Sequence, residues 1–510
     1  MNRAFCSTCA LNSYIGRAVE PLRKDLFEEI PSEPDPRPVK VRSRQSLLGQ
    51  YFTPESIALF MSRMFGKLPS DVRLLDAGAG GGALTVAFAK TAREVGYEGS
   101  LHVDAFEIDS NVLPELGTAL RMIGGPRFAA DVYAEDFVRR AAGWIKLGRG
   151  HRYTHCIMNP PYMKIGGGSE ERHLLSAIGL ETVNMYTGFV GLALDLLEEG
   201  GELVAIIPRS FCNGPYYQPF RRFVFERAAI THIHLFESRN KAFKTDGVLQ
   251  ENIIIQLKRG YPQRHVTVST STDGTFADYT QIANDFDKIV YPDDEQAFIH
   301  IPTGGQDELL ASHAFCHKLE DLGLSVSTGP VVDFRLRAHM CEPSDPNAVP
   351  LIYSSHFLEN EFVWPKLNFK KSNAIRRNAT TEKWLVPSGF YCVTRRFSSK
   401  EERRRIVAYV LNPSKLPTSE VVGLENHLNL IHEKKRPLSE ELARGLGAYL
   451  NATAVDRYFR RFNGHTQVNA TDLRTMRFPS LEVLRSLGHW AKEHVNFTQE
   501  QIDAKVASLA

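Results

Sequence analysis

The chain has 510 residues, of which 43% are hydrophobic and 24% are charged, and its formal net charge is only +2. This length predicts two or three domains. The near-neutral charge excludes a uniformly basic protein, so any polyanion must be bound by a local patch. No apolar run reaches the roughly 20 residues of a membrane-spanning helix, and the N-terminus lacks the apolar core of a signal peptide. We therefore expect a soluble cytoplasmic protein with no membrane partner.

The first 43 residues are predicted to form a helical lead-in followed by an extended linker, with prolines at positions 31, 34, 36 and 38. Seven cysteines, an odd number, indicate reduced thiols. Cys6 and Cys9 form a lone C-x-x-C, and a zinc site would need a second ligand pair. We therefore predict no metal site, and the sequence assigns no role to these two cysteines.

Residues 44–262 alternate short β-rich runs with helical stretches. The strand candidates are 72–76, 101–107, 155–159, 202–208, 231–236 and 251–257, and residues 82–95 and 185–201 have helical spacing. This alternation predicts an α/β domain with a mostly parallel, doubly wound, Rossmann-like sheet. Beyond this point the pattern changes, so residues 263–510 are predicted to form a second domain of mixed α+β structure.

A glycine-rich turn follows the first predicted strand in "LLDAGAGGG". Glycine lets the backbone turn tightly and approach a ligand closely at the edge where open α/β sheets bind ligands. Asp76, Gly78 and Gly80 are therefore candidate ligand-binding residues. The turn alone is a weak signal, because any tight strand-to-helix connection favours glycine.

Two acidic residues strengthen this signal. Glu107 ends the second predicted strand, where a carboxylate can bind ribose hydroxyls, and Asp136 in "AEDF" can accept a hydrogen bond from an adenine amine. The turn has neither the dinucleotide fingerprint G-x-G-x-x-G nor the G-K-[ST] ending of a phosphate loop. A pocket of carboxylates suits the hydroxyls, amine and positive charge of S-adenosylmethionine better than a nucleotide phosphate.

The segment "NPPY" ends another apolar strand candidate. The amine of adenine is a poor nucleophile because its lone pair is delocalised into the ring. The Asn159 side-chain oxygen and the Pro160 carbonyl are two acceptors for its N–H groups, fixed by the stiff Pro160–Pro161 backbone. Tyr162 supplies a flat face on which a base can stack. These four residues are the candidate catalytic residues, and Asn159 also borders the predicted cofactor pocket.

Together, "LGQYFTPESIALFM", "LLDAGAGGG" and "NPPY" resemble the motifs of the gamma-class N6-adenine DNA methyltransferases of restriction-modification systems, most closely the PstI-like and BsuBI-like type II modification enzymes. The likeness reaches the C-terminal half through "RRFNGHTQVNATDLRTMRFPS". It implies a site-specific, S-adenosylmethionine-dependent enzyme that flips adenine out of duplex DNA and methylates N6. Residues 44–262 would be the catalytic domain and 263–510 the DNA-recognition domain.

The resemblance also implies roles that the residues alone do not suggest. The region matching Tyr51, Phe52 and Thr53 would close over the methionine part of the cofactor. Phe243 would stack on the face of the target base opposite Tyr162. The partner that this family implies is double-stranded DNA. Whether a companion endonuclease acts on the same site, what that site is and which oligomer forms stay open.

A basic stretch lies in the predicted recognition domain. Residues 364–405 contain 12 Lys/Arg against 3 Asp/Glu, with aromatic residues interleaved. Such a stretch suits phosphate contacts, although a solvated basic face is the alternative for any single residue. The candidate DNA contacts are Lys366, Lys370, Lys371, Arg376 and Arg377. Further along, His465, Gln467 and Asn469 either contact DNA or brace the interface between the domains.

Two other functions remain open at this point. The "NPPY" motif by itself also fits a methyltransferase that acts on RNA or on a protein glutamine, since those acceptors are planar amines or amides too. A catalytically silent DNA-binding subunit is the third possibility. The long C-terminal half argues against the former, and the complete set of motif positions argues against the latter.

Overall fold

The computed structural model describes residues 53–148, 152–236, 251–302, 315–358, 361–398, 402–463, 467–494 and 497–509. The predicted lead-in at residues 1–43 lies outside them. No helix within these ranges is long and apolar enough to cross a membrane. The five cysteines that they include are free.

A nine-stranded sheet forms the N-terminal half, in the order β3-β2-β1-β4-β5-β7-β6-β8-β9. All neighbours pair in parallel except β7, which is antiparallel to β5 and β6, and β9, which is antiparallel to β8. The strands are β1 (Asp71–Ala77), β2 (Ser100–Phe106), β3 (Phe128–Tyr133), β4 (Tyr153–Met158), β5 (Leu197–Pro208), β6 (Ala228–Phe236), β7 (Asn252–Arg259), β8 (His265–Ser271) and β9 (Thr280–Asp285).

Helices cover both faces of this sheet, as the alternating pattern predicts. One apolar cluster joins the first three helices to alternate residues of the central strands, such as Val72 and Leu74. A second cluster on the opposite face includes Leu75 and Ala77. The helices are α1 (Glu55–Arg63), α2 (Ala83–Glu94), α3 (Leu113–Ile123), α4 (Phe137–Lys146), α5 (Glu170–Ala177), α6 (Met185–Leu196), α7 (Gln218–Arg227) and α8 (Phe286–Ile289). The doubly wound α/β prediction is confirmed.

Two details differ from the sequence prediction. The helix at 185–201 is shorter, because α6 ends at Leu196 and the following residues begin β5. A Cβ at Gly201 would lie only 3.1 Å from the Thr154 carbonyl oxygen of the neighbouring strand β4, so a larger residue would force the backbone to shift at this point. The second difference is that three strands of this sheet, β3, β8 and β9, were not among the strand candidates. The sheet also runs on to Asp285, so the proposed domain boundary after residue 262 falls inside it.

The C-terminal half combines small sheets with a helical group, which confirms the mixed α+β prediction. A four-stranded antiparallel sheet has the order β10-β20-β17-β18, and a five-stranded mixed sheet has the order β11-β15-β12-β19-β16. The strands are β10 (Ser325–Thr328), β11 (Met340–Cys341), β12 (Ala348–Ile352), β13 (Phe357–Leu358), β14 (Glu361–Phe362), β15 (Ala374–Arg376), β16 (Leu385–Pro387), β17 (Tyr391–Arg395), β18 (Ala408–Leu411), β19 (Val421–Leu424) and β20 (Leu428–His432).

The helices of this half pack around one large apolar core. Two of them, α9 (Glu440–Leu450) and α12 (Leu481–Glu493), pack so closely that a Cβ on Gly445 would clash with the Leu484 carbonyl oxygen. The helices are α9 (Glu440–Leu450), α10 (Thr453–Phe462), α11 (Ala470–Thr475), α12 (Leu481–Glu493) and α13 (Gln499–Ala507).

A buried carboxylate joins the two halves. Asp472 is fully buried at the start of α11 and accepts hydrogen bonds from the Asn213 side chain (3.1 Å) and the Asn463 side chain (2.9 Å). The Asn469 backbone N–H donates to the same carboxylate at 2.8 Å. Since Asn213 lies just beyond β5 of the large sheet, this carboxylate holds α11 against the N-terminal half.

We expect Asp472→Ala to destabilise the protein by roughly 3 kcal/mol, because it removes a buried acceptor on which three hydrogen-bond donors converge. Urea unfolding, followed by tryptophan fluorescence, measures this loss. The matched control is Asp287→Ala, which removes an exposed carboxylate and should change stability by less than about 0.5 kcal/mol. Equal stability of the two variants would contradict the bracing role.

Candidate active site

The glycine turn connects β1 to α2 through left-handed backbone positions. Gly78 has φ 80° and Gly80 has φ 53°, conformations that side-chain-bearing residues rarely adopt. The Gly78 N–H donates to the Phe106 carbonyl oxygen at 3.0 Å, which fastens the turn to the end of β2. A side chain placed on Gly80 would meet no atom within 4 Å. The turn therefore borders open space, as a ligand-binding turn must.

Glu107 connects this turn to the next loop. Its carboxylate accepts the Gly80 backbone N–H at 2.9 Å through one oxygen and the Asp109 backbone N–H at 2.7 Å through the other. The side chain is buried, with 5% of the residue exposed. Glu107 thus sets the distance between the two loops that follow β1 and β2. Ile108, the next residue, is 59% exposed although it is apolar.

Asp76 lies beneath the turn with no exposed surface. One carboxylate oxygen accepts the Thr85 hydroxyl at 2.6 Å, and Oδ1 has no hydrogen-bond partner among the described residues. Burial, with a smaller contribution from the nearby Glu107 charge, raises the pKa of Asp76 to about 7. A buried carboxyl with an unsatisfied oxygen is costly for folding, which points to a functional role.

Asp136 begins the helix that follows β3. Its side chain accepts the Arg139 backbone N–H at 2.8 Å, so it caps the N-terminus of α4. The prediction that it binds an adenine amine is compatible with this cap only through its remaining acceptor sites, since a carboxylate has about four. Asp136 lies at the edge of a cavity.

Asn159 follows the fully buried strand β4. Its side-chain nitrogen donates to the Thr53 hydroxyl oxygen at 3.0 Å. The Tyr162 hydroxyl lies 2.9 Å from Asn159 Oδ1 and 3.0 Å from the Ile206 carbonyl oxygen of β5. These contacts fix the rotation of the amide, and they orient the Tyr162 ring edge-on to Tyr186.

One cavity of about 300 Å³ brings these features together. Its volume lies at the lower end of the range of about 300–1,000 Å³ that is typical of small-molecule sites. Its lining includes six residues from the sequence predictions, which are Gly78, Gly80, Glu107, Asp136, Asn159 and Pro161. Residues of the glycine turn, the two acidic loops and the "NPPY" segment therefore share one site, whereas the predicted residues Thr53, Asp76, Pro160 and Tyr162 are not among its lining residues.

The comparisons with known proteins agree with this geometry. The Eco57I restriction-modification methylase family matches residues 127–243. The type II methyltransferase M.BsuBI of Bacillus subtilis is 48% identical over 477 residues, which is 91% of this chain and 94% of that protein. The type II methyltransferase M.PstI of Providencia stuartii is 40% identical over 469 residues, 90% of this chain and 92% of that protein.

The chain belongs to this family of type II restriction-modification methyltransferases.

For this methyltransferase, some predicted residues lie outside the described part of the chain, namely Tyr51, Phe52, Phe243 and His465. Of the predicted basic contacts, two arginines are engaged within the protein. Arg376 forms an ion pair with Asp345 at 2.7 Å, and Arg377 is paired with Glu382 at 2.8 Å. Their assignment as DNA contacts stays a prediction, and these ion pairs weaken it.

The three lysines and the two polar residues are placed differently. Lys366 donates to the Ser355 carbonyl oxygen at 3.0 Å and Lys371 pairs with Asp333 at 2.8 Å, whereas Lys370 is exposed. Gln467 and Asn469 lie in the segment that Asp472 fastens to the N-terminal half: the Gln467 carbonyl oxygen accepts the Asn463 side chain at 3.1 Å. This placement favours bracing over DNA contact for both.

Several apolar residues of the cavity were not among the candidates predicted from sequence. They come from three places in the chain and include Ile108, Phe137, Met185 and Phe189. Ile108 had a visible signal, since it is an apolar residue between two acids, in "EID", after a buried strand. Phe189 had none, because its position on α6 is indistinguishable by spacing from the core-facing positions beside it.

A cluster of one histidine and two carboxylates lies across β2 and β3. The nitrogen and oxygen atoms of these three side chains are close enough together to hold a metal ion. His102 Nε2 is 3.2 Å from Asp104 and 3.1 Å from Asp131. Asp104 also accepts the Tyr153 hydroxyl at 2.6 Å. Hydrogen bonds among these four residues account for the arrangement, so we assign no metal to it.

Asp76→Asn should change how stability depends on pH. Because the pKa of Asp76 is raised to about 7, the folded protein retains a proton that the unfolded chain has lost. This contribution to stability is complete below the unfolded pKa and disappears as the pH rises through the folded pKa. We therefore expect the free energy of unfolding of the variant, relative to wild type, to rise between about pH 4 and about pH 7 and to stay level above that.

Urea unfolding at several pH values measures this difference. The matched control is Asp71→Asn, which changes an exposed carboxylate at the start of the same strand. If the difference between Asp76→Asn and wild type does not change with pH, the buried carboxyl is ionised throughout and its proposed protonation is wrong.

Proposed function

We propose that this chain transfers a methyl group from S-adenosylmethionine to N6 of an adenine flipped out of duplex DNA, as the site-specific modification enzyme of a type II restriction-modification system. The observation that carries the proposal is Asn159, whose amide is anchored by Thr53 at 3.0 Å and lines the same cavity as the glycine turn. An acceptor of this kind beside a ligand pocket suits a planar amine. The family of the chain supports the same reaction class.

The cavity fits a cationic nucleoside. Four of its described lining residues are acidic and one is basic, the acidic ones being Glu107, Glu135, Asp136 and Glu171 and the basic one Lys164. This balance disfavours a phosphate ligand and favours sulfonium and ammonium groups. Glu107 would bind the ribose, Asp136 the adenine amine, and Thr53 would lie against the methionine part. The apolar side chains Ile108 and Phe189 suit the faces of the adenine ring.

The "NPPY" residues suit the target amine. An amide oxygen has two lone pairs, so Asn159 Oδ1 can accept from Tyr162 and from an N–H group. The Pro160 carbonyl oxygen would accept the second N–H. Both acceptors draw the nitrogen toward tetrahedral geometry and position it without a strongly basic group. Tyr162, which is half-buried, would stack on the base.

The reaction balances without another reactant. S-adenosylmethionine supplies a methyl group on a positively charged sulfur. The nitrogen lone pair forms the new N–C bond as the S–C bond breaks, and the sulfur keeps that electron pair. The amine then loses one proton, which solvent can take, and Asn159 and Pro160 hold the N–H groups while positive charge develops on the nitrogen.

The target must leave the duplex for this chemistry, at a cost of about a few kcal/mol. Stacking on Tyr162 and phosphate contacts by the C-terminal half would offset this cost. A restriction endonuclease acting on the same site is the protein partner that this function implies. Such an endonuclease would cut DNA that the chain has left unmodified.

Asn159→Ala should reduce methyl transfer to duplex DNA by at least about 1,000-fold, because it removes one of two positioned acceptors and releases Tyr162 and Thr53. S-adenosylmethionine binding, measured by calorimetry, should change far less. Tritium transfer from labelled cofactor to unmethylated plasmid DNA gives the rate. The control is Asn284→Ala on the edge strand β9, which should retain the wild-type rate.

RNA and protein substrates are assayed beside DNA with the wild-type enzyme. Nuclease digestion and mass spectrometry then identify the modified base. Transfer to RNA or protein in preference to DNA, or methylation of cytosine, would overturn the proposal. A wild-type rate for Asn159→Ala would remove the role of the amide and leave the substrate in place.

A further inference from the structure

An apolar side chain projects from the basic stretch of the C-terminal half. Leu367 is 85% exposed, in the loop Lys366–Lys371 between β14 and β15. The next residue, Asn368, has φ 54°, so the chain turns at this point through a left-handed conformation. Exposed single apolar residues are common and need no explanation by themselves. Leu367 differs in how its loop is held and in the charges around it.

The base of the loop is rigid. The Asn373 side chain accepts the Lys366 backbone N–H at 2.9 Å and donates to the Lys366 carbonyl oxygen at 3.0 Å. The Trp364 ring N–H donates to the Asn373 carbonyl oxygen at 2.8 Å. Phe369 packs edge-on against Tyr353, with 5.3 Å between ring centroids. The loop is thus held by hydrogen bonds to its backbone and by packing of the Phe369 ring, whereas the Leu367 side chain is exposed to solvent.

Such an arrangement is suited to binding. A loop whose backbone is already held in place loses little conformational entropy when a partner covers it. The exposed Leu367 side chain adds nothing to the stability of the folded chain. An exposed leucine on a loop anchored by polar contacts is therefore better explained by contact with another molecule.

The charges around the loop indicate which molecule. Three lysines occupy six positions, and they border a cavity of about 460 Å³. Of the acids nearby, Asp333 is paired with Lys371 and Glu425 is 1% exposed, in contact with His427 at 2.5 Å. Lys370 is exposed, and no ion pair involves it within the described residues. An exposed leucine three positions from an exposed, unpaired lysine suits a polyanion with apolar groups between its charges, and duplex DNA is such a molecule.

We propose that the loop Lys366–Lys371 enters a groove of the DNA substrate, with Leu367 against the edges of bases and Lys370 toward a phosphate. The inference rests on the proposed function and extends it, because it makes Leu367 a specificity-determining residue. Aliphatic side chains distinguish base pairs by contact with the thymine methyl group, and phosphate contacts carry no sequence information. Leu367 and Lys370 should then affect different properties of the enzyme.

The experiment uses the full chain and works for any recognition sequence, because the wild-type enzyme itself reveals the motif. Unmethylated plasmid DNA is treated with each variant and S-adenosylmethionine, and long-read sequencing records every modified adenine. The readout is the ratio of the modification rate at the wild-type motif to the rate at its single-base variants. Leu367→Ala should lower this ratio about 10-fold, the size expected for one lost base contact.

Two other variants complete the test. Lys370→Ala should weaken DNA binding at all sequences alike and reduce the slope of log affinity against log salt by about one. Met122→Ala removes an apolar side chain of similar exposure, 81%, on α3 of the N-terminal half. This control variant should keep the wild-type ratio. Thermal unfolding midpoints confirm that all three variants fold, as expected for exposed positions.

The outcomes separate the inference from the function beneath it. If wild-type enzyme modifies no adenine in DNA, the proposed function fails and the inference fails with it. If wild-type enzyme modifies DNA and Leu367→Ala keeps the wild-type ratio, the inference alone is overturned. A fall in the ratio for Met122→Ala as large as that for Leu367→Ala would also overturn it, because the effect would not be specific to the loop.

Discussion

Parallel pairing of β1 with β2 and β4 is the constraint on which the candidate site depends. In this register Ala77 lies opposite Phe106 and Asp76 lies opposite Ile157. Three strands therefore end at one edge, and the segments that follow them must meet there. The glycine turn, Glu107 and Asn159 are far apart in the chain and come together only because these strands run in the same direction.

Much of this edge could be predicted from sequence, because its residues follow apolar runs short enough to be read as strands. Asp76, Glu107 and Asn159 each end such a run, and all parallel strands of one sheet present their carboxyl ends together. The sequence could not show which hydrogen bonds these side chains form within the protein. The two oxygens of Glu107 bind backbone N–H groups, and Asp136 caps a helix. These hydrogen bonds depend on how the loops are positioned in the fold, and amino-acid composition does not reveal them.

The fold was less predictable where burial and pairing override local preference. The edge strand β3 contains two alanines and an aspartate in six residues, and it exists because β2 offers an unpaired edge. The strand β5 begins inside a run that has the sequence pattern of a helix end, because the residues around Gly201 pair with β4. Neither fact can be inferred from the segment alone, since both are imposed by a neighbouring strand.

The basic stretch shows the same limit in the C-terminal half. Counting charges treats every Lys and Arg alike, yet Arg405 is 1% exposed and bonds Ser398 and Asn463, while Lys370 faces solvent. Arginine has five donors in a planar fork and can satisfy several buried acceptors, whereas lysine keeps a compact charge in water. Composition therefore overestimated the charge that this half presents to solvent, because arginines such as Arg405 bond within the protein instead.

Strand β5 and the residue after it connect the "NPPY" segment to the C-terminal half. The Ile206 carbonyl oxygen contacts the Tyr162 hydroxyl at 3.0 Å, and Arg209, three residues later, donates to the Arg460 carbonyl oxygen at 2.9 Å. Arg209 is also paired with Glu251 at 2.9 Å, and both are buried. This ion pair lies within the N-terminal half and fixes the guanidinium that reaches the C-terminal half. Contacts from the "NPPY" segment and from the C-terminal half thus converge on the end of β5 and the residue that follows it. The Tyr162 hydroxyl and the Arg460 carbonyl oxygen therefore bond to residues only three positions apart in the chain.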